Sequence, residues 1–345
     1  MHPVKSSIIV ALLVIPLLTD AQKKKDQWTV VSYNVENLFD TLDNSETIDE
    51  EFTPGSEKGW NDERYLKKLN DIGRVIQSIN PSELPEIIGL CEVENDRVLQ
   101  DLIQTEALRK GNYGIVHQES PDIRGIDVAL LYRREEFTVV TEEALPVIFP
   151  FDSTETTRDI LYVKGITNDK ETLHLYVNHW SSRRDGEKET EPKRIFSALT
   201  LRKHVDQVLN GDPQAKIIIM GDFNDEPTNN SIFSMLMANN KKKNASGRDL
   251  YNLMYDMHNE ENMGTYNFRG NWNMLDQIIV SQAMVSPKQG IHTVYDGGKI
   301  FRAGWMMFHD ENRSQDVPSR TYGGPNYYGG VSDHLPVYAI LRSDE

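Results

Sequence analysis

The feature that most constrains this chain is a recurring one: short apolar, β-branched runs that stop abruptly at an acid, an amide or an imidazole. Val30-Val31-Ser32-Tyr33 stops at Asn34, and Ile87-Ile88-Gly89-Leu90-Cys91 stops at Glu92, with Glu94 close behind. Leu175-Tyr176-Val177-Asn178 stops at His179, and Ile217-Ile218-Ile219-Met220-Gly221 at Asp222 and Asn224. Runs of this kind read as buried strands. The pattern repeats at Asp276 and at Asp333-His334. Ends that converge on one rim would bring these polar groups within a few ångströms of each other, and clefts in α/β sheets commonly lie at strand ends.

Further strand-like runs fall at 128–132, 137–140, 160–165, 275–280 and 337–341. Tyr65, Leu66, Leu69, Ile72, Val75, Ile76 and Ile79 recur at helical spacing in a segment that must end before Pro81. Val98, Leu99, Leu102, Ile103 and Leu108 mark a second helix, and Ile195, Phe196, Leu199, Val205, Val208 and Leu209 a third. Residues 41–60, acidic and rich in Thr, Gly and Pro, read as a surface loop. Strands and helices mix without a low-complexity linker or an internal period, which fits one layered α/β domain over residues 22–345.

The N-terminus reads as an export signal over residues 1–21: Lys5, an apolar run from Ile8 to Leu18, then Thr19-Asp20-Ala21 before a mature start at Gln22. The run is too short to span a bilayer, so cleavage and release to the periplasm or the medium are expected, with no stable membrane anchor. Cys91, the single cysteine, excludes an intramolecular disulfide and reads as a small core residue. A formal charge of −16 opposes non-specific attraction to nucleic acid or anionic membranes, so a phosphate substrate would need local positive charge.

Glu92 and Asn34 offer the oxygen donors that a hard cation takes, which points to Mg2+, with Mn2+ or Ca2+ as alternatives. Zinc fits less well, because neither HExxH nor paired cysteines occur. Each motif has a plain reading when taken alone: a β-turn at Gly221-Asp222-Phe223-Asn224, a cap at Ser332-Asp333-His334, a solvated strand end at Glu92 and Glu94. Their joint occurrence carries the functional reading. His117, His174, His204, His258 and His292 read as structural or solvated.

Six motifs, Ser32-Tyr33-Asn34-Val35-Glu36-Asn37, Cys91-Glu92-Val93-Glu94-Asn95, Asn178-His179-Trp180, Gly221-Asp222-Phe223-Asn224-Asp225, Leu275-Asp276-Gln277-Ile278-Ile279-Val280 and Ser332-Asp333-His334-Leu335-Pro336, resemble in order those of the endonuclease/exonuclease/phosphatase superfamily. The resemblance implies a four-layer sandwich: two mostly antiparallel sheets face to face with helices outside. It also implies a metal-dependent phosphoesterase, most simply a nuclease-type phosphodiesterase. A phosphomonoesterase or a phospholipid or inositol-phosphate headgroup hydrolase is the alternative, and a non-catalytic binding protein a third reading.

By the same resemblance Glu92, Asn34 and Asp333 would hold the metal, and Asp222 with Asn224 would activate and hold the attacking water. His334 would be paired with Asp276, and His179 with Asp127. Arg158 and Arg183, or Arg184 in place of Arg183, would grip the substrate phosphate. Near Gly125 the chain departs from the nucleases, which carry a tyrosine there. The segment Asn178-His179-Trp180-Ser181-Ser182-Arg183-Arg184 instead resembles an exported bacterial subgroup. Tyr322, Tyr327 and Tyr328, in the glycine-rich stretch before Asp333, could stack on a base or sugar, or simply pack as a surface loop. A monomer without a protein partner is expected, acting on a phosphate ester that includes nucleic acid among its candidates.

Overall fold

The computed structural model describes residues 27–152, 154–285 and 290–344, so the expected export signal lies outside the described residues. In chain order the strands are β1 (Gln27–Leu38), β2 (Ile87–Val93), β3 (Tyr113–His117), β4 (Asp127–Arg133), β5 (Phe137–Leu145) and β6 (Ile160–Thr167). There follow β7 (Thr172–His179), β8 (Lys216–Asp222), β9 (Leu250–Asn252), the hairpin β10 (Tyr266–Phe268) and β11 (Asn271–Asn273), and β12 (Asp276–Ser281). The last are β13 (Gly290–His292), β14 (Gly298–Ile300), β15 (Met307–Asp310), β16 (Gln315–Pro318), β17 (Tyr322–Gly323), β18 (Asn326–Tyr327) and β19 (Val337–Asp344). Three long helices accompany them: α1 (Asp62–Ile79), α2 (Asp96–Ile103) and α3 (Glu187–Gly211).

One sheet runs β13-β19-β1-β2-β4-β3, with β14 also on β19; the other runs β5-β6-β7-β8-β12-β9. Each sheet is antiparallel except at its centre, where β1 lies parallel to β2 and β7 parallel to β8. The inner faces meet in one apolar core, Val30, Cys91, Val128 and Leu130 from the first sheet against Leu175, Val177, Ile218, Met220 and Ile278 from the second. Full burial of each large apolar side chain there contributes roughly 1.5–3 kcal/mol. The outer face of the first sheet carries α1 and α2 through Leu69, Ile72, Val75, Ile76, Val98, Leu99 and Leu102. The outer face of the second carries α3 through Ala198, Leu201, Val205 and Leu209. The architecture is therefore the expected four-layer sandwich.

Both outer helices of the first sheet begin where the sequence supplies a cap: Asn61 Oδ1 accepts from Arg64 N (3.1 Å) and Asn95 Oδ1 from Val98 N (3.0 Å). The 41–60 segment is more than a solvated loop, since Phe52 and Trp60 are buried and Phe52 stacks on Phe39 at 4.1 Å. No helix among the described residues is long and apolar enough to cross a membrane.

Stacking the two central parallel pairs positions the site. The C-terminal ends of β1, β2, β7 and β8 all reach one rim, and Cys91 Sγ donates to the Asn178 carbonyl (3.2 Å) across the two sheets. Within the second sheet, register places His179 opposite Asp222 and Asp222 opposite Asp276. Gly221 allows this: at φ 144°, a Cβ there would stand 1.9 Å from the Asn178 carbonyl oxygen, so only glycine lets the ends of β7 and β8 approach.

Candidate active site

From the first sheet come Asn34, inside β1, and Glu92, near the end of β2. Glu92 adopts φ 63°, in the left-handed region that a residue with a Cβ rarely enters. Glu36 (φ 53°), Asn37 (φ 53°) and Asn224 (φ 49°) do the same, and such outliers are often concentrated where a site needs particular directions. The Glu92 carboxylate accepts from Asn37 N (2.9 Å) and from Asn34 Nδ2 (3.2 Å). The same Asn34 amide donates to Asp222 Oδ2 (3.0 Å), so one side chain spans the two sheets.

Asp222 is buried at the centre. Its Oδ1 accepts from Asn224 N (2.9 Å), and its Oδ2 lies 3.7 Å from His179 Nε2 and 3.8 Å from His334 Nε2. Asn224 is held in turn by donating Nδ2 to the Trp180 carbonyl (3.0 Å). Burial, with Asp276 adding to it, raises the Asp222 carboxyl above its ordinary range despite the pull of His334, which makes it a stronger base.

His334 reaches the site from the segment before β19. Ser332 Oγ donates to the Asn34 carbonyl (2.8 Å) and accepts from His334 N (3.1 Å), which fixes that segment on β1. His334 Nδ1 bonds Asp276 Oδ2 at 2.7 Å. Burial opposes charge on the ring, but Asp276 and Asp222 outweigh it and hold the imidazole well above its usual value, hence cationic. His179 goes the other way: burial, then Arg158 and Arg124, push it well below, hence neutral. Its Nδ1 is buried without a hydrogen bond among the described residues. The two imidazoles that face Asp222 thus carry different charge.

Asp222, Asp276 and His334 also form a cluster tight enough for a metal. There, however, His334 Nδ1 is already bonded to Asp276 Oδ2 (2.7 Å) and Nε2 faces Asp222 Oδ2 (3.8 Å), an arrangement of a carboxylate-held imidazole beside a second carboxylate. A hard cation fits better beside Glu92, Glu36 and Asp333. Burial and the Asp333 charge raise Glu92, and the same causes raise Glu36 to about 7 even though Lys68 lowers it. These carboxylates act on one another electrostatically and are oxygen donors of the kind a divalent cation takes, while Asn34 turns its Nδ2 to Glu92 (3.2 Å) and accepts at Oδ1 from Glu36 N (3.0 Å).

Several expected roles are altered by the geometry. Asp127 is not the partner of His179: its Oδ2 pairs with His117 Nε2 (3.2 Å) and its Oδ1 accepts from Ser120 N (2.9 Å). Arg158 donates to the His179 carbonyl (3.1 Å), the Trp180 carbonyl (2.6 Å) and Asp122 Oδ2 (2.8 Å), so it braces the end of β7 instead of reaching out as a grip. Arg183 is similarly occupied by the Asn224 carbonyl (2.6 Å), Asn229 Oδ1 (2.9 Å) and Asp225 Oδ1 (3.2 Å). It shapes the loop after β8 and does not offer a free guanidinium. Asp333 stands half-buried with Arg320 Nη2 at 3.7 Å. Tyr322 packs on Trp60 (6.0 Å between ring centres) and Tyr327 lies under the Arg64 guanidinium (4.2 Å), which leaves Tyr328 as the exposed tyrosine of that stretch.

Four contributors went unrecognised in the sequence. Glu36 accepts from Thr321 N (2.7 Å) and Tyr322 N (3.2 Å) and so anchors the glycine-rich stretch; it was in view inside a motif but had no role. Lys68 is buried and donates to Thr321 Oγ1 (2.7 Å) and the Val331 carbonyl (2.9 Å). Its signal was positional, three residues after Tyr65 and four before Ile72, on the apolar stripe of α1. Arg124 and Arg320 carried no comparable signal. All of this opens into a cleft of about 1150 Å³, floored by Glu92, His179, Asp222 and His334.

A model of the Endonuclease/Exonuclease/phosphatase family matches residues 29–343. No curated protein matches the chain. Among solved structures, an endonuclease/exonuclease/phosphatase family protein from Bacteroides thetaiotaomicron superposes with a TM-score of 0.57 at 18% identity, over 92% of this chain and 98% of that one. A mannosyl-6-phosphatase from the same organism gives 0.57 at 18% identity, over 91% and 99%. The human Nocturnin catalytic domain, solved with a bound sulfate anion, gives 0.55 at 18% identity, over 92% and 96%.

Proposed function

The chain belongs to the endonuclease/exonuclease/phosphatase family, and from that premise we propose that it hydrolyses phosphate esters with a divalent metal ion, Mg2+ first among the candidates, outside the cytoplasm. The observation that supports this most is the placement of Asp222 between a neutral and a cationic imidazole, joined through Asn34 to Glu92. Glu92 and Asp333, with Glu36 beside them, would hold the metal, which when bound neutralises phosphoryl charge; Asn34, expected as a ligand, instead orients Glu92 through its amide NH2.

Asp222 is set to take the proton of a water that attacks phosphorus, with Asn224 directing that water. The new P–O bond forms as the ester P–O bond on the far side breaks. His334, kept cationic by Asp276, donates a hydrogen bond to a phosphoryl oxygen whose negative charge grows in the transition state. His179 stays neutral and can donate through its Nε2 without adding charge.

The charge of the whole chain, formally −16, favours a compact ester over a long polyanion, while the cleft wall itself is mixed, with Glu51, Glu57 and Glu187 beside Lys58, Arg124, Arg184 and Arg320. This reverses the order suggested by motif resemblance, in which nuclease action came first. Nuclease-type action on a strand end is the second reading, carried by the exposed Phe268 ring on the wall, where a base can stack. The shared fold does not choose between them.

The test is an assay of the protein on p-nitrophenyl phosphate, bis-p-nitrophenyl phosphate, a single-stranded oligonucleotide and plasmid, each with Mg2+ or with EDTA. Hydrolysis of at least one ester, abolished by EDTA and favouring the small substrates, is expected. Absence of turnover on all four, or turnover indifferent to EDTA, would refute the proposal.

A further inference from the structure

We propose that Arg124 binds the substrate phosphate at the side of this cleft and tilts the enzyme toward terminal, monoester phosphates, with Asp122 and Arg158 as the residues that position it. The inference rests on the phosphoester reading above.

Arg124 sits in a pinned turn. Gly125 N donates to the Asp122 carbonyl (2.9 Å), Arg124 N to Asp122 Oδ1 (2.9 Å), and Ile48 N to the Ile123 carbonyl (2.7 Å). Gly125 has φ 66°, and a Cβ there would stand 2.9 Å from Thr47 Cγ2, so the turn closes tightly on the neighbouring loop. The buried Asp122 carboxylate receives Arg124 Nε (3.2 Å) and Nη2 (3.1 Å) on one side and Arg158 Nη1 (2.8 Å) on the other. Although burial works against it, the two guanidinium groups hold that carboxyl below its ordinary range, so it remains charged. Arg158 continues the path to the His179 carbonyl (3.1 Å). A single chain of charged hydrogen bonds thus ties Arg124 to the backbone of a residue on the cleft floor.

This bracing uses only one edge of the Arg124 fork. Nη1 and the second hydrogen of Nη2 point away from Asp122 and have no hydrogen-bond partner among the described residues, and the side chain is half exposed. It lines the cleft, close enough to Glu92 and His179 to act on both electrostatically. Other cations of the cleft are differently engaged. Arg183 is occupied by the loop after β8, Lys58 pairs with Glu51 (3.1 Å) over the Phe52 ring, and Arg320 faces Asp333, while Arg184 lines the cleft exposed and with no side-chain brace among the described residues.

A free guanidinium edge on a rigid support matches two oxygens of one phosphate. A monoester dianion offers that edge more charge and one more free oxygen than a diester does, so the contact discriminates between them.

The experiment compares wild type, Arg124→Ala, Arg124→Lys and Asp122→Asn by calorimetric titration with inorganic phosphate, and by kinetics on p-nitrophenyl phosphate and bis-p-nitrophenyl phosphate. Arg124→Ala should weaken phosphate binding about tenfold or more, with most of the loss on the monoester in KM and little change on the diester. Arg124→Lys should recover only a minor part, because an ammonium lacks the paired edge. Asp122→Asn should move KM the same way by a smaller factor. Wild-type phosphate affinity and monoester KM in Arg124→Ala would overturn the inference while leaving hydrolysis intact, and so would turnover of the diester alone. If the wild type binds phosphate through Arg124 yet hydrolyses nothing, the phosphoesterase reading falls and the binding role stands. Neither binding nor turnover would sink both.

Discussion

At the scale of single residues, the chemistry depends on opposite charge states for two imidazoles that face one carboxylate. Asp276 sets one of them: it is wholly buried, contacts His334 Nδ1 at 2.7 Å, and its negative charge offsets the cost of a buried imidazolium. Asp276→Asn keeps the shape and removes the charge. The hydrolysis rate should fall on the order of 10² to 10⁴-fold, with the unfolding temperature within a few degrees of wild type. Loss of less than about tenfold would show that the ring does not need its partner. Glu92, Glu36 and Asn224 in left-handed backbone belong to the same scale, since each spends conformational energy to aim a side chain at one place.

At the scale of elements, β7 shows how one strand serves both stability and the site. Its end carries His179, while His174 further back bonds Tyr162 OH (2.8 Å) within an aromatic group that includes Tyr176 and His204. Burial, with Lys164 adding to it, lowers the His174 ring to about 4 from an ordinary 6.5. The unfolded chain therefore takes up that proton first as pH falls, and stability that is complete above about 6.5 is lost on descent toward about 4. His174→Gln should flatten this slope: melting curves at about pH 7 and about pH 5 should show the wild type losing roughly 2 °C more than the variant. Parallel losses would mean that His174 is already solvated.

Elements were also the scale at which the sequence was most legible. The central strands were visible because runs such as Ile217-Ile218-Ile219-Met220 are apolar on both faces, which only a layered core demands. Asn34, Glu92, Asp222 and His334 could be read from where such runs stop. Asp127 is assigned to His179 by the resemblance, and only the fold shows that its partner is His117, an imidazole the sequence reads as structural or solvated. Arg158 and Arg183 had the right charge, but whether a guanidinium is free or tied to carbonyls depends on the loops around it. Arg124 was hidden for the converse reason: its value lies in the edge that Asp122 leaves unused.

At the scale of the whole molecule, two sheets must stack so that a parallel pair in each ends at the same rim, because neither sheet alone holds a complete site. Asn34 and Glu92 belong to one sheet, His179, Asp222 and Asp276 to the other, and His334 returns from the far end of the chain. Residues that work as one unit lose their effect together, so their substitutions are not additive. The most direct measurement is therefore a double-mutant cycle on the hydrolysis rate, using Glu92→Gln from one sheet, Asp222→Asn from the other, and the pair. The two single variants should each lose on the order of 10²-fold or more, and the double variant little beyond the worse single. Single losses that multiply in the double variant, or singles that keep most of the wild-type rate, would contradict a shared site.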